Sequence, residues 1–157
     1  MPRRSYKKIT AKLEPVYNSL EVSKLINFIM IDGKKSVAER IVYKVLERFI
    51  KEGKDPLTTL RSAIQNVSPN YEVKPRRLGG ASYLVPTEVR SSRKLYLGLN
   101  WIINAAKTKS NKEFKSFENK LYTELKDAVQ NQGAAIAKKQ QTEKLAEANK
   151  AFAHLKW

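Results

Sequence analysis

The sequence predicts an all-α fold carrying one β-hairpin: a six-helix bundle with a protruding two-stranded ribbon between the third and fourth helices. Two patterns predict it. Through most of the chain apolar residues recur at i, i+3, i+4 and i+7, the spacing of one buried helical face. From Tyr71 to Val89 the texture instead turns β-branched, aromatic and prolyl around Gly79-Gly80. The 157 residues show no internal repeat and no low-complexity linker, and they have the length of one domain, 1–157.

Residues 1–12 carry Arg3, Arg4, Lys7, Lys8 and Lys12 without an acid or an apolar period, which predicts an extended basic arm. The helical body, 18–157, opens at Asn18-Ser19, a pair that can cap a first helix bearing Val22, Leu25, Ile26, Ile29 and Met30. Asp32-Gly33 ends that helix. Ser36 with Glu39 reads as a capping box for the second, whose stripe of Ala38, Ile41, Val42, Val45, Leu46 and Phe49 runs to Gly53. Asp55-Pro56 supplies a cap and a first-turn proline for the third, which carries Leu57, Leu60, Ile64 and Val67 and stops at Pro69.

The hairpin follows at about 71–89. Gly79-Gly80 suits a two-residue type I′ turn, which pairs Arg76 with Tyr83 and Lys74 with Val85 on one face. Pro75 and Pro86, one in each arm, keep other strands away, so the ribbon is expected to stand alone with both edges free. Helical spacing resumes after Ser91-Ser92 with Leu95, Leu99, Ile102, Ile103 and Ala106, tolerating Gly98. A fifth helix is expected from Phe114, Phe117, Leu121, Leu125 and Ala128. After Asn131-Gln132-Gly133 a last, Ala-rich helix carries Ile136, Leu145, Ala148, Phe152 and Leu155.

Composition restricts function before any motif does. With 31 Lys+Arg against 15 Asp+Glu the formal net charge is +16, and a charge that large is best offset by a bound polyanion. No apolar run is long enough to cross a bilayer, and the basic start leads into Leu13-Glu14-Pro15 in place of a signal core, so a soluble, intracellular, non-secreted protein is expected. The absence of Cys excludes disulfides and thiolate chemistry. With a single histidine, His154, and carboxylates expected at scattered surface positions, the chain is predicted to be no enzyme and to hold no cofactor or metal. Gly33-Lys34 and Gly53-Lys54 lack the upstream glycine and the hydroxyl of a phosphate-binding loop.

The basic residues are unevenly placed. Lys74, Arg76, Arg77, Arg90, Arg93 and Lys94 crowd the hairpin and its foot, diluted between Lys74 and Lys94 only by Glu88. Arg76 beside Tyr83 is a platform for stacking a base and gripping its phosphate. Lys34 and Lys35 stand before Ser36 at a helix start, where unpaired N–H groups favour an anion. Concentration on arms and a ribbon suits folded RNA better than duplex DNA, which is read by a helix, or a membrane surface, which requires a basic amphipathic helix. On the second helix Arg40, Lys44, Glu47 and Arg48 mix signs and are expected to be solvated or paired.

Several of these stretches also resemble a known family. Asp32-Gly33-Lys34-Lys35-Ser36, Glu72 to Gly80, Tyr83 to Arg90, Trp101-Ile102 and Ala146 to His154 are similar to ribosomal protein seven of the small subunit, bacterial and organellar type, with the resemblance running from Pro2 to Trp157. It implies a primary rRNA binder on the 3′ major domain of small-subunit rRNA that starts assembly of the head. It also implies a place near exit-site tRNA and the mRNA path, contacts with small-subunit proteins nine and eleven, and cytoplasmic ribosomes of a bacterium or, alternatively, a plastid. The implied RNA-binding residues are Arg3, Arg4, Lys34, Lys35, Lys74, Arg76, Arg77, Arg90, Arg93 and Lys94, to which the residues themselves add Lys7, Lys8 and Tyr83. Two departures stand out: Ser91-Ser92 where the family has a proline and more basic residues, and Glu143 where a histidine is usual.

Overall fold

A computed structural model of the chain describes residues 12–155. Of the basic arm only Lys12 is among them, so Arg3, Arg4, Lys7 and Lys8 lie outside the described residues. The order is α1 (Leu20–Ile29), α2 (Lys35–Lys51), α3 (Pro56–Val67), β1 (Tyr71–Leu78), β2 (Ala81–Glu88), α4 (Ser91–Thr108), α5 (Asn111–Phe114), α6 (Phe117–Val129), α7 (Ala134–Ala148) and a closing 3₁₀ turn, Lys150–Leu155. The hairpin stands between the third and fourth helices as predicted, and it is the one sheet among the described residues.

Capping chemistry sets most of the boundaries. Ser19 accepts the Val22 N–H and Asp55 accepts the Thr58 N–H with Pro56 at the first helical position. The predicted capping box of Ser36 and Glu39 does not form. Left-handed Asp32 and Gly33 (φ 53 and 72) close the chain tightly enough that Lys34 becomes the cap residue, without a side-chain acceptor, and Ser36 is already inside the helix. Glu39 pairs instead with Lys35 at 3.4 Å. The expected fifth helix is two: Ser110 caps α5, Ser116 caps α6, and Lys115 between them is left-handed at φ 55. Two competing serine caps outweigh the continuous apolar spacing.

A single core joins Val22, Leu25 and Ile26 of α1, Val42, Leu46 and Phe49 of α2, Leu60 and Val67 of α3, Leu99 and Ile102 of α4, and Leu121 and Leu125 of α6. Gly98 is required there. A Cβ on it would stand 2.8 Å from Ser68 Oγ and 3.2 Å from the Ile64 carbonyl oxygen, so its absence lets α4 close onto α3. The ordered body also begins before residue 18, because Glu14 is buried and accepts the N–H groups of Val16 (2.9 Å) and Tyr17 (2.7 Å) and the hydroxyl of Tyr43.

The C-terminal segment departs most from expectation. The last helix stops at Ala148, where Asn149 Nδ2 donates back to the Leu145 carbonyl at 2.8 Å, and the chain tightens into the 3₁₀ turn. Leu145 is exposed and Phe152 turns toward the ribbon, so the stripe is broken between them. The ribbon accordingly does not stand alone. α7 touches both strands, the 3₁₀ turn lies against β2, and Val85, Thr87 and Val89 are buried. A two-stranded ribbon is marginal in water, and this one is held by its own C-terminus.

Candidate nucleic-acid interface

The strands pair in the predicted register, Arg76 opposite Tyr83 and Lys74 opposite Val85, because Gly79 and Gly80 both adopt positive φ (56 and 88) and close a two-residue turn. Side chains alternate along each strand, so Glu72, Lys74 and Arg76 share one face with Tyr83, Val85 and Thr87. That face continues into the first turn of α4.

Together they form an open cleft of about 1000 Å³ at the foot of the hairpin, lined by Lys74, Arg76, Arg90, Arg93 and Lys94 against Glu72 and Glu88. Five cations face two carboxylates, an excess of three positive charges. α4 starts inside this cleft. Its cap residue, Arg90, brings no side-chain acceptor, and Ser91 and Ser92 occupy the first two helical positions. First-turn N–H groups have no partner within their own helix and carry the positive end of its dipole. Ser91 and Ser92 thus bring two backbone donors and two hydroxyls to a place where an anion is favoured.

Glu72 organises the cations. Its side chain is 14% exposed and holds Lys74 Nζ at 3.2 Å and Arg93 Nε at 3.3 Å. The Arg93 guanidinium also lies over the Tyr96 ring, 5.0 Å from its centroid, and Lys94 Nζ donates to Asn70 Oδ1 at 2.8 Å. Counting charge only from Lys74 to Lys94 missed this carboxylate, although its position two residues before Lys74 on the same strand face was readable. Arg77 projects from the opposite face and is exposed, while Arg76 is half-buried.

The other predicted residues among those described lie apart from the cleft or serve it indirectly. Tyr83 packs its ring 5.4 Å from Phe152, so the aromatic platform is shared with the C-terminal turn. Lys34 and Lys35 are exposed at the start of α2, Lys35 paired with Glu39. His154 is exposed, with Nδ1 2.9 Å from the Ala151 carbonyl oxygen.

Carboxylates are not confined to the surface as expected. Glu124 is fully buried, accepts the Ala135 N–H at 3.0 Å through Oε1 and faces Lys109 Nζ at 3.0 Å through Oε2, an ion pair without hydrogen-bond alignment. Lys109 also reaches Asp127 at 3.0 Å. Burial alone would lower the pKa of Lys109, but the carboxylates of Glu124 and Asp127 outweigh it and raise the value. Burial and the hydrogen bond to Glu52 push the Tyr122 hydroxyl up to about 12. These groups tie helices together. Among the described residues no group of three or more acidic, histidine or cysteine side chains is placed to hold a metal, and no helix is long and apolar enough to cross a membrane.

Comparison with known proteins agrees with this geometry. The family model described as ribosomal protein S7p/S5e matches residues 1–150. The chain is 49% identical over 159 residues to the small ribosomal subunit protein uS7 of Moorella thermoacetica, covering the whole of both. It is 49% identical over 160 residues to uS7 of Thermoanaerobacter pseudethanolicus, again over both full lengths. With uS7 of Thermosipho africanus it shares 51% over 145 residues, 92% of each chain. A basic helical bundle with a cation-lined hairpin, matched end to end at this level, belongs to the ribosomal protein S7p/S5e family, whose bacterial relatives are proteins of the small ribosomal subunit.

Proposed function

We propose that this chain is a structural, non-catalytic constituent of the small ribosomal subunit that binds small-subunit rRNA in its 3′ major domain and nucleates assembly of the head. The observation that carries this is the cleft at the hairpin foot, where five cations and the N-terminus of α4 converge with an excess of positive charge. Phosphates supply what the cleft lacks. Arg76, Arg90 and Arg93 offer planar donors that match phosphate oxygens, with Lys74 and Lys94 as point charges. Arg77 and Tyr83 present the ribbon itself, Lys34 and Lys35 form a second contact at the start of α2, and Arg3, Arg4, Lys7 and Lys8 extend the footprint. In this reading the protein works in bacterial cytoplasmic ribosomes, beside exit-site tRNA and the mRNA path and in contact with small-subunit proteins nine and eleven.

Filter binding of the full chain to a 3′ major domain rRNA fragment, against duplex DNA at matched salt, tests the proposal. With roughly 6 to 10 phosphate contacts the logarithm of affinity is expected to fall with log salt at a slope of about −5 to −8. A slope near zero, or equal affinity for the duplex, sinks it.

A further inference from the structure

An apolar face of the bundle stays uncovered where α1 hands over to α2. Ile31 in the connecting loop is 62% exposed and Val37 in the first turn of α2 is 48% exposed. Both line an open groove of about 590 Å³ whose walls, including Ile41 and Phe117, are almost all carbon. The charged residues lining it are Lys34 and Lys107, and no carboxylate does. Apolar side chains gathered along one groove with almost no polar wall offer a dry seat to an apolar side chain of another molecule.

The groove differs from the hairpin foot in what it can recognise. The foot gathers five cations around a helix start; the groove has a wide apolar floor between two lysines, which fits aliphatic or aromatic side chains flanked by negative charge. The chain's own basic arm is a poor occupant, since residues 1–12 bring five basic residues and no acid toward two lysines. A second copy fares no better, because like charges from two chains of +16 would meet at the rim.

We propose that this groove docks a segment of a neighbouring protein in the subunit, one whose bulky apolar side chains are flanked by Asp or Glu. Ile31 and Val37 cover the inserted side chains, and Lys107 pairs with the flanking carboxylates, while Lys34 at the other rim stays with the rRNA contact. The charges steer the segment and fix its direction; the apolar floor holds it. This inference rests on the ribosomal reading above.

The test uses small subunits assembled with the full chain carrying a photoreactive benzophenone side chain at position 31. After irradiation the crosslinked species is purified from the subunits and sequenced. The expected product is one ribosomal protein, joined through a peptide with apolar residues next to Asp or Glu. Val37→Asp or Lys107→Glu on the same chain is expected to lower the yield about tenfold, the size of effect a central contact carries. Crosslinks to rRNA alone, no crosslink, a peptide without that composition, or yields unchanged by both substitutions each overturn the proposal. A chain that never enters subunits defeats the ribosomal reading as well, whereas one that enters them and crosslinks only to rRNA defeats this inference alone.

Discussion

Two helices of this chain begin beside clusters of charge, and they are completed in opposite ways. At α7 the cap residue is Gly133, which has no side chain, and the buried Glu124 carboxylate takes the Ala135 N–H from within the fold. Lys109 and Asp127 complete the group, so its one cation is fully taken up by two carboxylates. At α4 the cap residue Arg90 brings no acceptor, and the surrounding cations outnumber the carboxylates. The physical ingredients are the same. A helix start completed from inside fastens the chain to itself, while one left open amid excess cations is set for an external anion.

The largest expected effect comes from breaking the closed cluster. Glu124→Ala leaves Lys109 half-partnered and the Ala135 N–H without its acceptor, and removing one member of a buried ion pair costs about 3 to 5 kcal/mol. Urea unfolding is expected to show this loss, with rRNA affinity of the folded fraction unchanged. A fall in affinity without a fall in stability would erase the distinction between the two helix starts.

The reciprocal experiment is Arg90→Ala with Arg93→Ala at the open cluster. Both side chains are exposed, so stability is expected to change by no more than about 0.5 kcal/mol for each. Affinity for the rRNA fragment is expected to fall by roughly 3 kcal/mol for the pair, at about 1.5 for each charge-assisted hydrogen bond to phosphate that the substitutions remove. Unaltered binding with a lowered melting temperature would make the foot of the hairpin a brace.

Gly98→Ala sharpens the comparison because it moves the whole of α4. The added methyl meets Ser68 Oγ and the Ile64 carbonyl, and overpacking of this kind typically costs about 1 to 3 kcal/mol. Stability and rRNA binding are both expected to suffer, since α4 carries the open cluster at one end and Lys109 just beyond the other. Loss of one without the other would mean that α4 does not couple them.

The smallest effect is a titration. The folded-state pKa of Lys109 is raised above its ordinary 10.5, so its stabilising contribution is fully present below that pH and is lost as pH rises through the folded value. Stability of the parent chain is expected to drop more steeply above pH 10.5 than that of Lys109→Met. Parallel alkaline limbs would show that the cluster holds α7 without its charge.

Much of the fold was legible from local chemistry. Ser19, Asp55-Pro56 and Gly79-Gly80 act on groups within a few residues of themselves, and that short range is why the caps, the turn and the register of Arg76 against Tyr83 could be read directly. The α5–α6 break was less so, because two serine caps and a left-handed Lys115 interrupt a spacing that by itself continues. In the cleft the cations were visible in the chain and the carboxylate that arranges them was passed over.

The amino-acid order by itself thus determined the helix faces, the hairpin and the local excess of Lys and Arg, since covalent geometry and side-chain period govern all three. Only the tertiary structure decided which charges remain available. Phe152 reaches Tyr83, Glu124 is sealed under α7, and Lys109 is neutralised inside the body while Arg90 stays open. Whether a charge is solvated or buried depends on segments far away in the chain, and no local spacing encodes that.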